Sequence, residues 1–430
     1  MKANWPRVAV SGICDTIIDC INKTAPSSND PTSFKMIRTT NVRDGYVKLD
    51  KVRYVTEEIY EKWTRRGRPQ RGDVLLTREA PLGEIGLLRS TDNVFLGQRL
   101  VMYRANRKLL DNRYLMYSLM GDELQGQIRS LGSGSTVEHM RVPDCEKLEI
   151  PLPTLAIQRK IAAILSTYDD LIENNIRRIA ILEEMAQAIY REWFVNFRFP
   201  GFENGKLVNS PLGQIPEGWE CSQVSEVFET LGGGTPSKKV EEYWTGGQIP
   251  WFAPSDLTKS GNMYSATSGT RITDVGLKKS SAKMFPAYSV MLTSRATIGV
   301  LSINTVPACT NQGFITCVPN DRVSALEIFF WLREQTQKIL NVATGATFKE
   351  ITKGNFRKFQ FLLPPTNVSE QFNKIVGPIG KDIEILIQKQ QNLRTTRDLL
   401  LPKLISGKLD VEDLDIDSGI AAEELLEATV

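Results

Sequence analysis

One histidine in 430 residues is the scarcity that excludes most chemistry. A Ser-His-Asp triad, a zinc hydrolase or a histidine acid–base pair would each have to use His139. That residue sits in Val137-Glu138-His139-Met140 with no nucleophile signature nearby, so it reads as structural or surface. Six cysteines (Cys14, Cys20, Cys145, Cys221, Cys309, Cys317) form no CxxC pair. They read as reduced, mostly buried thiols rather than a disulfide frame or zinc site. No apolar run approaches the ~20 residues a membrane helix needs. Met1-Lys2-Ala3-Asn4-Trp5-Pro6 lacks a signal-peptide core, so a cytoplasmic location is expected.

Several enzyme signatures are also missing. An adenine methyltransferase needs an Asn/Asp-Pro-Pro-aromatic loop, whereas the one Pro-Pro here lies in Leu363-Pro364-Pro365-Thr366. No lysine has a carboxylate two residues before it, which removes the common metal-dependent nuclease pattern. The P-loop pattern is absent, and with it the case for a nucleotide-driven motor. Gly232-Gly233-Gly234-Thr235-Pro236 offers backbone amides to a phosphate, but without a following Gly-Lys it reads rather as a turn.

What is present is ordinary soluble composition, 41% hydrophobic and 24% charged, over a length suggesting two to three domains. The net charge of +3 hides an asymmetry: Asp410 to Val430 hold eight acids and no base. Residues 1–409 therefore carry 53 bases against 42 acids, a net +11. A basic body with an acidic tail suits nucleic-acid binding. A generic basic protein with a solvated tail fits the charge equally well.

The chain is written twice. Gly132-Ser133-Gly134-Ser135-Thr136-Val137 and Leu148-Glu149-Ile150-Pro151-Leu152-Pro153 recur as Ala343-Thr344-Gly345-Ala346-Thr347-Phe348 and Phe361-Leu362-Leu363-Pro364-Pro365, offset by 211 to 212 residues. Val74-Leu75-Leu76-Thr77-Arg78 matches Val290-Met291-Leu292-Thr293-Ser294-Arg295, and Gly97-Gln98 falls near Asn311-Gln312-Gly313. In each copy, short β-branched runs broken by turn signals predict an irregular β-rich globule. Amphipathic helices are expected around 111–129 and 324–341.

Each globule is followed by a helical seam. Thr154 can cap a helix in which Ile161, Leu165, Tyr168, Ile172, Asn175, Ile179, Leu182, Ala186, Ile189 and Trp193 alternate at spacings of four and three. Adding 211 gives Phe372, Val376, Ile379, Ile383, Leu386, Gln390, Leu393, Arg397, Leu400 and Leu404. Two seams in one register are most simply each other's partner. Gly377-Pro378 and Gly380 should kink the second helix or delay its start to about 379. Asn175 and Gln390 either set register or face solvent where the pair splays. The breaker-rich segment 198–218 can return the chain along the first helix, so antiparallel packing is expected.

The expected architecture is thus α+β: two β-rich domains (1–153 and 219–365) separated by two long antiparallel coiled-coil helices (154–197 and 366–409), pseudo-two-fold within one chain. A linker (198–218) and an acidic tail (410–430) complete it. Candidate DNA contacts start with Arg65-Arg66-Gly67-Arg68-Pro69-Gln70-Arg71, four arginines in seven residues. Arginine grips phosphate bidentately and reads guanine, although a solvated loop held by Glu57, Glu58, Glu61 or Asp73 is the plain alternative. Arg38-Thr39-Thr40-Asn41 and Arg78 are further candidates. In the second copy they are Lys238, Lys239, Trp251, Ser255, Lys278, Lys279 and Arg295; Trp251 suits the core equally well.

With these motifs in order, the chain resembles the specificity subunit of type I restriction–modification systems. Gly72-Asp73-Val74-Leu75-Leu76 resembles a strand of that family, and Ser133-Gly134-Ser135-Thr136 and Thr344-Gly345-Ala346-Thr347 its loop before the terminal strand. Pro151-Leu152-Pro153 with Ile157-Gln158-Arg159-Lys160-Ile161, and Leu363-Pro364-Pro365 with Glu370-Gln371-Phe372, resemble its approach to the spacer helices. Leu212-Gly213-Gln214-Ile215-Pro216-Glu217-Gly218-Trp219 is similar to its start of the second recognition domain, and Gly234-Thr235-Pro236, Tyr243-Trp244 and Ile249-Pro250-Trp251 to one recognition-domain group. Ile157-Gln158 stands where Glu-Gln is commoner. The resemblance implies a non-catalytic subunit that selects a split double-stranded DNA target and docks two methyltransferase and two motor–nuclease subunits. AdoMet, ATP and Mg²⁺ would belong to those partners, with none in this chain. A solitary DNA-modifying or DNA-cleaving enzyme would need a catalytic constellation the sequence does not supply.

Overall fold

The computed structural model describes residues 5–133, 138–345 and 349–416. The motif residues Gly134 to Val137 and Ala346 to Phe348, and the tail from Asp417 on, lie outside them. The chain divides into two units: residues through Ile172 with those from Asn392 on, and Glu173–Gln391.

In the first unit a six-stranded sheet runs in the order Cys14–Asp19, Leu100–Ala105, Val74–Arg78, Leu82–Leu87, Gly45–Val47, Val42–Arg43. Its inner strands are continuous apolar runs because both faces are covered: Val74, Leu75 and Leu76 are all fully buried. A second sheet pairs Phe34–Ile37 antiparallel with Arg53–Val55 and parallel with Asn93–Leu96. Arg7–Ala9 closes the unit by pairing antiparallel with Glu149–Pro151, just ahead of the first long helix. The helix expected at 111–129 is two, Asn112–Met120 and Asp122–Leu131, because Gly121 between them is extended at ψ 148°.

The second unit repeats that plan. Its five-stranded sheet runs Glu229–Gly232, Phe314–Val318, Val290–Thr293, Leu301–Asn304, Tyr264–Ser265; its last pair is parallel, like the pair of Leu82–Leu87 with Gly45–Val47 in the first unit. Ile249–Phe252 pairs parallel with Cys309–Thr310, and Glu220–Gln223 closes on Gln360–Leu363. The helix expected at 324–341 spans Ala325–Val342 and begins with a capping box in which Ser324 accepts from the Glu327 amide.

Two helices of 40 residues, Leu155–Phe194 and Thr366–Ile405, contribute a pair of antiparallel segments to each unit. In the first unit Ile161, Ala162 and Leu165 share a core with Leu401, Leu404 and Ile405. In the second unit Ala186, Tyr190, Trp193 and Phe194 share one with Phe372, Val376 and Ile383. Ile172 and Leu386 are buried, Ile179 and Leu182 pack at the edge of the second core, and Leu393 and Leu400 are half-buried. Asn175 and Gln390 are 8% and 7% exposed, which sets aside the solvent-facing alternative. Contrary to the expected delay, the second helix is already formed from Thr366 and is continuous through Pro378. Within the linker, Leu207–Ser210 and Gly213–Pro216 form a hairpin, and Phe199 packs on Trp193 and Trp219.

Candidate nucleic-acid interface

In each unit the ends of several strands meet at one surface through the same backbone bonds. In the first, Gly97 N donates to the Ile37 carbonyl (2.7 Å), Arg78 N to Arg99 (2.8 Å) and Met140 N to Arg78 (2.9 Å). A Cβ on Gly97 would sit 2.5 Å from the Ile37 oxygen, so this approach needs glycine. In the second, Asn311 N donates to Phe252 (3.0 Å), Ser294 N to Gly313 (2.8 Å) and Ile351 N to Ser294 (3.0 Å).

Several proposed contact residues gather at the first of these surfaces. Arg38 is half-buried, its Nη2 donating to the Lys51 carbonyl (3.1 Å), and Thr39 Oγ1 donates to Ala80 (3.1 Å). Arg78 Nη1 donates to the Met140 carbonyl (3.0 Å). Asn41 requires a correction. It is buried, its Oδ1 accepts from Arg38 N and its Nδ2 donates to Lys51, so its amide holds a turn together rather than facing a base. His139 is exposed and bridges Glu79 and Ser133.

The arginine loop follows the helix Glu57–Trp63 and divides into two pairs. Arg66 is held by Asp19, while Arg68 Nη2 reaches both oxygens of Glu61 (2.6 Å) over the Tyr60 ring. Arg104 fixes the base of the loop through two 2.8 Å bonds to Asp73. Arg65 and Arg71 are exposed and have no ion pair among the described residues. Arg71 also lines a cavity of about 670 Å³ with Arg89 and Arg104. Each cation that neutralises a phosphate releases counterions condensed on the DNA, and Arg66 and Arg68 already face carboxylates. If this loop meets DNA, changing all four arginines to alanine should flatten the log–log salt dependence of affinity by about two units. The Arg65→Ala/Arg71→Ala pair should account for nearly all of it. Salt titration of binding to double-stranded DNA measures this, and an unchanged slope in that double variant removes the loop from the interface.

In the second unit Lys238 and Lys239 are exposed on the loop after Gly234, and Lys278 and Lys279 at the end of the helix Asp274–Lys278. Ser255 is exposed in the first turn of Pro254–Ser260, and Arg295 is paired with Glu350 (2.7 Å). Trp251 is the second correction: it is 7% exposed, its Nε1 donates to the Gly234 carbonyl (2.9 Å) and its ring meets Trp244 edge-on, so it is core. The glycine run is packed backbone; a Cβ on Gly233 would lie 2.0 Å from the Asn311 oxygen.

Burial pushes the thiols of Cys14, Cys145 and Cys309 up to about 12. Among the described residues no three His, Cys, Asp or Glu side chains cluster as a metal site, and no helix is long and apolar enough to cross a membrane.

Two units of one topology, each including antiparallel segments of the two long helices, define an internally duplicated α+β protein. Its class is also recorded in its relatives. The family model for the type I restriction modification DNA specificity domain matches residues 4–184 and 216–395, and the chain belongs to that family. It is 27% identical over 369 residues to the type I restriction enzyme MjaIX specificity subunit of Methanocaldococcus jannaschii, covering 84% of this chain and 83% of that one. The HindI specificity subunit of Haemophilus influenzae is 22% identical over 403 residues, covering 79% and 87%. The fold matches the crystal structure of the type I restriction–modification S subunit from M. genitalium with a TM-score of 0.58 at 16% identity, over 93% and 96% of the two chains.

Proposed function

We propose that the protein is the non-catalytic, sequence-specific DNA-binding subunit of a type I restriction–modification complex, acting in the cytoplasm. Residues 1–153 and 219–365 would be its recognition domains, 154–197 and 366–409 its spacer helices, 198–218 the linker and 410–430 an acidic tail. The observation that carries this is the duplication itself: one backbone scaffold is built twice but presents different side chains. The first unit offers Arg65 and Arg71, the second the lysine pairs 238–239 and 278–279. Two different readers in one chain suit two different half-sites, where a symmetric homodimer would read a palindrome. Linking them makes the second contact intramolecular, so a weak half-site contributes.

Two methyltransferase subunits would dock on this chain, joined by two motor–nuclease subunits for cleavage. AdoMet, ATP and Mg²⁺ would be bound by those partners. Methylome sequencing of a host with and without the chain tests the proposal. The expected result is a bipartite, asymmetric motif with an unspecified gap that vanishes with the chain. A continuous palindrome, or modification independent of the chain, would overturn it.

A further inference from the structure

One exposed side-chain pair is built in both units. Thr24 Oγ1 donates to Gln98 Oε1 at 2.8 Å, and Thr235 Oγ1 donates to Gln312 Oε1 at 2.5 Å. The two threonines are 211 residues apart, the offset of the repeat. Each glutamine leaves the end of a parallel-paired strand, Asn93–Leu96 or Cys309–Thr310. Each also follows a residue whose amide is anchored to a neighbouring strand, Gly97 on Ile37 and Asn311 on Phe252. The threonines are anchored as well, since Ala25 and Pro236 beside them are buried.

A hydroxyl bound to one lone pair of the amide oxygen fixes the amide plane. The second lone pair and the Nε2 hydrogens remain, a donor and an acceptor side by side. That pattern complements adenine in the major groove, where N7 accepts and N6 donates. Guanine presents two acceptors there and would set its O6 against the amide oxygen. A feature repeated in both units serves something the half-sites share.

We propose that Gln98 and Gln312 each read an adenine, one per half-site, with Thr24 and Thr235 as positioning residues. This rests on the DNA-recognition reading above. The test is the methylome of hosts whose complete system carries one substitution at a time. Gln98→Glu keeps the side-chain volume but leaves only acceptors, which suit cytosine N4. It should move one position of one half-site from adenine to cytosine and leave the other half-site intact. Gln312→Glu should do the same in the other half-site. Gln98→Ala should lose roughly five- to 150-fold of discrimination at that position, ~1–3 kcal/mol. Thr24→Val should blur the same position and Thr24→Ser should restore it, at unchanged thermal stability.

An unchanged motif in Gln98→Glu would overturn the proposal, leaving the pair as a loop tie. A uniform loss of affinity for all sequences, with no position relaxed, would overturn it in favour of a phosphate contact. If the unsubstituted chain directs no motif, the DNA-recognition reading itself fails, which is a separable result.

Discussion

Asp169→Ala should destabilise the protein by about 3–5 kcal/mol, because it strands a buried cation. Asp169 lies on the first long helix with its side chain 1% exposed; Arg397 on the second, 12% exposed, places Nη1 2.6 Å from Asp169 Oδ1. The other carboxylate oxygen accepts from Tyr117 at 2.5 Å, and the Asp169 carbonyl accepts from the Tyr46 hydroxyl at 3.1 Å. Burial and the Asp169 charge push the Tyr117 hydroxyl well up, so it stays a donor. The carboxylate therefore joins three elements, namely both long helices and the helix Asn112–Met120. Removing it leaves Arg397 with Asp398, which is 62% exposed, and Tyr117 with no acceptor. The double replacement Asp169→Leu/Arg397→Leu should recover only the part due to the stranded cation, because Tyr117 still loses its acceptor. Urea unfolding of the three variants measures this. A single Asp169→Ala variant within about 1 kcal/mol of the parent would show that the pair is solvated.

That ion pair also shows where the sequence is legible. The seam spacing places Arg397 among apolar positions and marks it as anomalous, but its partner lies 228 residues away. Arg66 and Asp19, 47 residues apart, are equally hidden. The duplication, the sheets and both long helices are readable because they depend on local periodicity and on motifs repeated at one offset. Contacts between strand ends depend on the closed fold. Asn41 and Trp251 look like surface readers by type, yet each satisfies its polar atoms inside the unit.

Gly377-Pro378 misleads for a different reason. Proline costs the helix one hydrogen bond, but Phe372 and Val376 just before it are fully buried in an aromatic core. That tertiary packing outweighs the local preference. Gly380 has its own role, since a Cβ there would come within 2.8 Å of the Tyr264 hydroxyl and 3.2 Å of Leu326. The pair Gln98 and Gln312 shows up in the sequence as a repeat of Gly97-Gln98 near Gln312-Gly313; their threonine partners, 74 and 77 residues away, do not.

Phe372→Ala should cost about 3–5 kcal/mol, the usual penalty for emptying a large aromatic site that the surroundings fill only partly. Phe372 is fully buried, and its ring stands edge-on to Phe194 at 4.9 Å and to Tyr190 at 6.0 Å, with Trp193 also at 6.0 Å. Those three partners belong to the last turns of the first long helix, and Phe194 in turn meets Trp219 at 5.7 Å. One side chain thus ties the start of the second long helix to the end of the first. Phe372→Leu should lose far less, about 1–1.5 kcal/mol, because most of the volume stays filled. Because the site lies in the second unit, limited proteolysis of Phe372→Ala should cut first within 173–391. Equal losses for alanine and leucine would mean that the aromatic contacts, rather than filled volume, set the stability of this seam.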